Sequence, residues 1–156
     1  MTEVGALFRP ALCVAGLEAR DAEAAIRALG DRLGAAGLVR AGFVEAVLVR
    51  ERTSPTGVPF PGRKAALPHA DPEHVVAPGA AVATLRHPVD FRAMGDPASV
   101  LSVDLVIVLA LPDVRSAQSA LVALVERLQH AEFVDALCAA VDAQALCRLL
   151  TEEERP

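Results

Sequence analysis

Residues 103–111 read Val-Asp-Leu-Val-Ile-Val-Leu-Ala-Leu, apolar apart from Asp104. The run is far too short for the roughly 20 residues that span a bilayer. It is also too continuous for a strand with one wet face, which would alternate polar and apolar residues. An unbroken apolar run of strand length marks a strand covered on both faces. Whatever else the chain does, it has to supply two layers of cover for this segment.

The flanking sequence supplies them. Residues 11–17 form a short apolar run of strand size. Asp21 then reads as a helix N-cap with Glu23 in the first turn, followed by Ala25, Ile26, Leu29 and Leu33 at helical spacing and by Gly34 and Gly37 as a stop. A second helix is expected over 42–52, with Phe43, Val44, Val47 and Leu48 on one face. Ser54 precedes Pro55 and is disfavoured in the helical region, so that helix has ended there. Residues 53–62, with Pro55, Gly57, Pro59, Pro61 and Gly62, read as a long loop. Strands are expected at 64–67, 80–85 and 103–111, with a short one at 89–91. The last third carries helical stripes: Leu121, Leu124, Val125 and Leu128; Phe133, Leu137 and Val141; Leu146, Leu149 and Leu150. Helices, then clustered strands, then helices again predict an α/β fold, a three-layer α/β/α sandwich with a central mixed sheet and helices on both faces.

The chain of 156 residues suits one domain over 1–156, with the charged end, 151–156, solvated. With 53% hydrophobic and 22% charged residues it is a folding chain and not a disordered one. There is no Trp or Tyr to stack on bases, the net charge is −5, and the cationic residues are scattered, which argues against nucleic acid as a partner. Residues 1–9 lack the apolar core of a signal peptide, so a cytoplasmic location is expected. Cys13, Cys138 and Cys147 form no CxxC and sit among apolar neighbours, the pattern of buried free thiols.

Of the four histidines, His69 stands out. It follows a strand and a proline, and a side chain at the end of a central strand faces the crevice where open α/β sheets bind ligands. A neutral imidazole is a competent nucleophile near pH 7, its ordinary pKa being about 6.5. His69, Asp71, Glu73 and His74 also offer imidazole and carboxylate donors within a few residues. Catalytic zinc, however, needs three well-placed protein ligands and no second cluster is visible, so no metal and no cofactor are expected. A hydrogen-bonded surface histidine is the other reading of His69 that the residues alone allow.

Several segments, in order, carry a resemblance. Arg50-Glu51, Pro55-Thr56-Gly57, Pro68-His69, Glu73-His74-Val75, Val89-Asp90-Phe91 with Met94-Gly95, and the apolar run before a helix together resemble the type-2 IIA domains of the bacterial sugar phosphotransferase system. These are the fructose, mannitol, galactitol and nitrogen-regulatory proteins. The Pro-Thr-Gly and Phe-x-x-Met-Gly segments look closest to the galactitol branch. The resemblance implies that His69 takes a phosphoryl group from the phosphocarrier HPr and passes it to a cysteine of a IIB partner, with a membrane IIC component acting further on. It implies that Arg50 stabilises the phosphoryl charge, a task suited to its planar, permanently charged fork. Thr56 is a candidate hydroxyl donor, and Glu51 a structural neighbour. Many members carry a second histidine at the start of the helix after the long strand, where this chain has Ser116-Ala117-Gln118. Ser116, Gln118 or the amides of that helix start are the candidates to replace it. His74, His87 and His130 read as surface or structural residues. A nitrogen-type regulatory module that signals by its phosphorylation state is the alternative function, and a metal-dependent hydrolase ranks last. The sugar itself is not legible, because a IIA domain never has to touch it.

Overall fold

The computed structural model describes residues 4–152. Its sheet has five strands: β1 (Cys13–Leu17), β2 (Gly57–Pro59), β3 (Lys64–Ala66), β4 (Gly79–Ala93) and β5 (Asp96–Ala110). The apolar run falls in the second half of β5, flanked by antiparallel β4 on one side and parallel β3 on the other. β1 adds to the far side of β4 in parallel, and β2 pairs antiparallel with β3. The sheet is therefore mixed, as expected.

Alternation along β5 splits the interior in two. Leu105, Ile107 and Leu109 enter one core, and Val106, Val108 and Ala110 enter the other. The first core is covered by α3 (Val114–Leu128), α4 (Ala131–Ala139) and α5 (Ala143–Thr151), through Leu124, Leu128, Leu137 and Leu146. The second is covered by α1 (Ala22–Ala35) and α2 (Phe43–Thr53), through Ile26, Leu29, Phe43 and Val47. The successive side chains of one strand point to opposite faces, so a fully apolar run feeds both layers. The expected three-layer sandwich is the fold found. Asp21 caps α1 by accepting the Ala24 N–H at 2.8 Å, and Asp113 and Asp142 cap α3 and α5 in the same way.

Several expectations need correction. The segment 53–62 is not all loop: β2 lies inside it and returns antiparallel to β3. The expected strands at 80–85 and 89–91 are one strand, β4, with a register shift between Thr84 and Val89. Pro88 sits in that irregular stretch, where a missing N–H costs no ladder bond. Val141 belongs to no helical stripe: it lies between α4 and α5 and is 87% exposed. The predicted strand at 11–17 begins at Cys13, after a 3₁₀ turn at Pro10–Leu12. A second such turn precedes it, and Val4, Leu7 and Phe8 around it are buried in the α3–α5 core. Of the expected solvated tail, Thr151 still belongs to α5, Glu152 is exposed, and 153–156 lie outside the described residues.

Candidate functional site

β3 and β5 run in parallel, so their carboxyl ends meet at the same rim of the sheet. His69 stands just beyond that end of β3. Leu67 and Pro68 are buried, the Leu109 N–H donates to the Pro68 carbonyl at 2.9 Å, and His69 makes a parallel bridge with Leu109. The histidine is thus fixed by backbone bonds to the central strand. Its ring is fixed too. Nδ1 lies 2.9 Å from the Leu67 carbonyl oxygen. A carbonyl only accepts, so Nδ1 carries the proton in the neutral ring and the lone pair is left on Nε2. Burial pushes the imidazole pKa down, and the Arg50 guanidinium pushes it the same way, against the Leu67 carbonyl and Asp71. The neutral, nucleophilic form is favoured at pH 7.

Arg50 comes from the last turn of α2, in the helical layer formed by α1 and α2. It shares with His69 a cleft of about 220 Å³, whose other lining includes Asp71, Leu109, Val114, Ala117, Gln118 and Leu121. Arg50 Nη1 lies 3.3 Å from Asp71 Oδ1. Its Nε is buried and has no hydrogen-bond partner among the described residues. A larger groove of about 530 Å³ lies on the other side of the Arg50–Asp71 pair, lined by Glu45, Val49, Thr53 and His74. The smaller cleft is the candidate site, because it alone of the two reaches His69.

The structure brings His69, Arg50 and Gln118 together in the cleft, with Gln118 on the exposed side of the first turns of α3. It places Ser116, Thr56 and Glu51 outside the lining. The Ser116 N–H is spent on Asp113 Oδ1 at 2.7 Å, and this bond is the main reason the Asp113 carboxyl sits below its ordinary pKa. Thr56 is buried and its hydroxyl lies 3.0 and 2.9 Å from the two carboxylate oxygens of Glu51. Among the described residues, no three His, Cys, Asp or Glu side chains are grouped to hold a metal ion. His74 turns to Glu73, 3.6 Å away, and the Glu73 carbonyl accepts from Arg40 Nε at 3.1 Å.

The lining residues that sequence reasoning missed had signals. Val114, Ala117 and Leu121 follow the 3- and 4-residue spacing of the helix face that carries the expected Gln118, directly after the Asp113 cap. Asp71 is an acidic residue two positions past His69, opposite in charge to Arg50.

A model of the family described as "Phosphoenolpyruvate-dependent sugar phosphotransferase system, EIIA 2" matches residues 6–153. The chain belongs to this EIIA 2 family. Among curated proteins, it is 39% identical over 108 residues to the 2-O-alpha-mannosyl-D-glycerate-specific EIIABC component of Escherichia coli K12. The match takes in 67% of this chain but only 15% of that longer protein. Among solved structures, the mannitol-specific cryptic phosphotransferase enzyme IIA of Escherichia coli superposes with a TM-score of 0.76 at 23% identity, over 96% of this chain and 99% of that one. The mannitol enzyme IIA of the same species, solved in complex with phosphorylated enzyme IIB, gives 0.72 at 23% identity, over 92% and 96%. These likenesses agree in fold, an α/β sheet covered by helices. Among the described residues no helix is long and apolar enough to cross a membrane.

Proposed function

We propose that this EIIA 2 chain is a cytoplasmic phosphocarrier that accepts a phosphoryl group from HPr on Nε2 of His69 and hands it to a cysteine of a IIB partner. The observation that carries this reading is the ring of His69, oriented by the Leu67 carbonyl so that its lone pair is on Nε2, in one cleft with the half-exposed guanidinium of Arg50. In the first transfer the Nε2 lone pair attacks phosphorus in line while the donor's P–N bond breaks and its electron pair returns to the donor imidazole. In the second, a IIB thiolate attacks phosphorus, the P–Nε2 bond breaks, and the pair returns to Nε2. Neither step needs a cofactor, and the task of the protein is positioning and charge neutralisation. Arg50 supplies the charge. Gln118 belongs to the stretch Ser116-Ala117-Gln118 that takes the place of the second histidine of many relatives, and as the cleft-lining polar residue of that stretch it offers its amide to a phosphoryl oxygen. A sugar or sugar alcohol of the galactitol kind is the transported cargo suggested by the Pro55-Thr56-Gly57 and Phe91 to Gly95 segments. The mannosylglycerate specificity of the curated relative is the competing cargo.

The test is labelling near neutral pH with HPr, its upstream kinase and phosphoenolpyruvate. His69→Ala should take up no label, whereas His74→Ala and His130→Ala should take up nearly the full amount. Full labelling of His69→Ala, or no labelling of the unaltered chain by a competent HPr, sinks the reading. A chain that labels but passes nothing to a IIB cysteine is a regulatory module.

A further inference from the structure

We propose that Glu51 and Thr56 are positioning residues, a hydrogen-bonded brace that ties the helix of the arginine to the ring of the histidine. The inference rests on the phosphocarrier reading for its purpose and on five contacts for its existence. Arg50 and Glu51 are neighbours on α2, so whatever holds Glu51 also holds the base of Arg50. Glu51 Oε1 accepts the Thr56 N–H at 2.9 Å, and both carboxylate oxygens lie within 3.0 Å of the Thr56 hydroxyl. A hydroxyl has a single proton, which goes to the carboxylate, and its lone pairs remain free to accept. One accepts the Leu67 N–H at 3.2 Å. The Leu67 carbonyl in turn receives Nδ1 of His69 at 2.9 Å. The chain of contacts therefore starts one residue from Arg50 and ends on the imidazole.

Two further observations argue that fold stability alone is a poor reason for this arrangement. The Glu51 carboxyl is largely withdrawn from water, and that desolvation raises its pKa despite the Thr56 bonds. A half-buried carboxylate tied to a buried threonine is a costly way to fill space that an apolar pair would fill as well. The fit around it is also tight. A Cβ on Gly57, next to Thr56, would stand 2.6 Å from the Arg92 carbonyl oxygen, so the backbone of β2 is pressed against β4 and cannot slide. Glu51 on one side and β4 on the other leave Thr56 a single place, and Leu67 and His69 inherit it. Hydrogen-bonded polar networks of this kind specify a unique geometry when every member is satisfied.

Thr56→Val keeps the size of the side chain and removes the hydroxyl, and Thr56→Ser keeps the hydroxyl. The full chain carrying each change is followed by two readouts. The first is the ¹⁵N spectrum of the His69 ring without any donor. The second is the rate of phosphoryl uptake from phosphorylated HPr. In Thr56→Val and in Glu51→Gln the ring should shift from a single Nδ1–H form toward mixed tautomers, and uptake should slow roughly 10- to 100-fold, the scale of a catalytic group misplaced by about 1 Å. Thr56→Ser should restore both to within about threefold. Unaltered ring signals and rate in Thr56→Val overturn the brace, and so does a Thr56→Ser variant that is folded yet as slow as Thr56→Val. If Thr56→Val does not fold, Glu51→Gln against Thr56→Ser decides by the same two readouts. Failure of the unaltered chain to take up phosphate removes the phosphocarrier reading, while the donor-free ring spectrum still decides the brace.

Discussion

Arg50→Ala should separate stability from transfer. The side chain is 41% exposed and its partner Asp71 69% exposed, with 3.3 Å between Nη1 and Oδ1. A pair this open to water is worth at most about 1 kcal/mol. Its Nε is already buried without a partner among the described residues, so truncation removes an unsatisfied donor along with the ion pair, and the two changes oppose each other. The net loss should stay below about 1 kcal/mol, which for a chain of this size moves the melting midpoint by no more than about 2–4 °C. The transfer step is a different matter. A donor aimed at charge developing in the transition state is worth about 3–4 kcal/mol, or roughly a 100- to 1,000-fold loss of rate. Stopped transfer from phosphorylated HPr, read beside a thermal melt, gives both quantities from one preparation. Arg50→Lys should fall between the two, since a point charge keeps attraction but loses the fork. A rate within about threefold of the unaltered chain would refute the role of Arg50, because threefold corresponds to well under 1 kcal/mol. A melt lowered by 10 °C or more would refute the bookkeeping on the ion pair.

Because burial and Arg50 lower the His69 pKa, the acid limb of phosphorylation should fall below pH 6.5, as titration of the ring by NMR would show directly. The sign for stability follows: the unfolded chain binds the proton first, so His69 begins to destabilise the fold only as pH drops below 6.5 and does so fully below its folded pKa. A ring that titrates above 6.5 would contradict both statements. Gly57→Ala drives a Cβ toward the Arg92 carbonyl, backbone that cannot give way cheaply, and should cost about 1–3 kcal/mol in urea unfolding; no change in midpoint would mean that β2 shifts freely. The Cys13 thiol is pushed up to about 12, chiefly by burial and also by the neighbouring Cys147, so iodoacetamide followed by mass spectrometry should leave it unmodified in the native protein and label it in urea. Equal labelling in both conditions would refute its burial.

The parts of the fold that were legible are those written in local pattern. The 103–111 run demanded cover on two faces, and the cap at Asp21 with the stripe from Ala25 to Leu33 marked α1 within a residue or two. What was lost is what depends on distant contacts. β2 is three residues long and carries Val58 and Pro59 in a glycine- and proline-rich stretch, so only its pairing with β3 makes it a strand. β4 looked like two strands because the exposed stretch from Arg86 to Pro88 interrupts the apolar pattern, and nothing local says that Val89 rejoins the same ladder. In the site, proline before histidine at a strand end was readable chemistry. The meeting of Arg50 with His69 was not, because one is on a covering helix and the other at the end of a sheet strand, and only the family resemblance joined them. The motif makes Thr56 a candidate phosphate donor; in the structure its hydroxyl goes to Glu51, a contact set by the fold of β2 and invisible in spacing.

Beside the branched residues of β5, small side chains face both cores from the sheet: Ala65 and Ala80 on one face, Ala66, Ala81, Ala83 and Ala110 on the other. Alanine is an unusual strand residue, and here it acts as a spacer that lets each helical layer sit close to the wall. Arg50 rides on one layer and Gln118 on the other, so the width of the His69 cleft depends on the thickness of a sheet that these alanines keep thin on both faces. Valine in place of one such alanine would not touch the cleft, yet it would lift a whole layer and change the gap across which the two side chains act. Lineages drifting in this sheet can therefore retune a distant gap without altering any residue that lines it, and a designer can use the same alanines as adjusting shims.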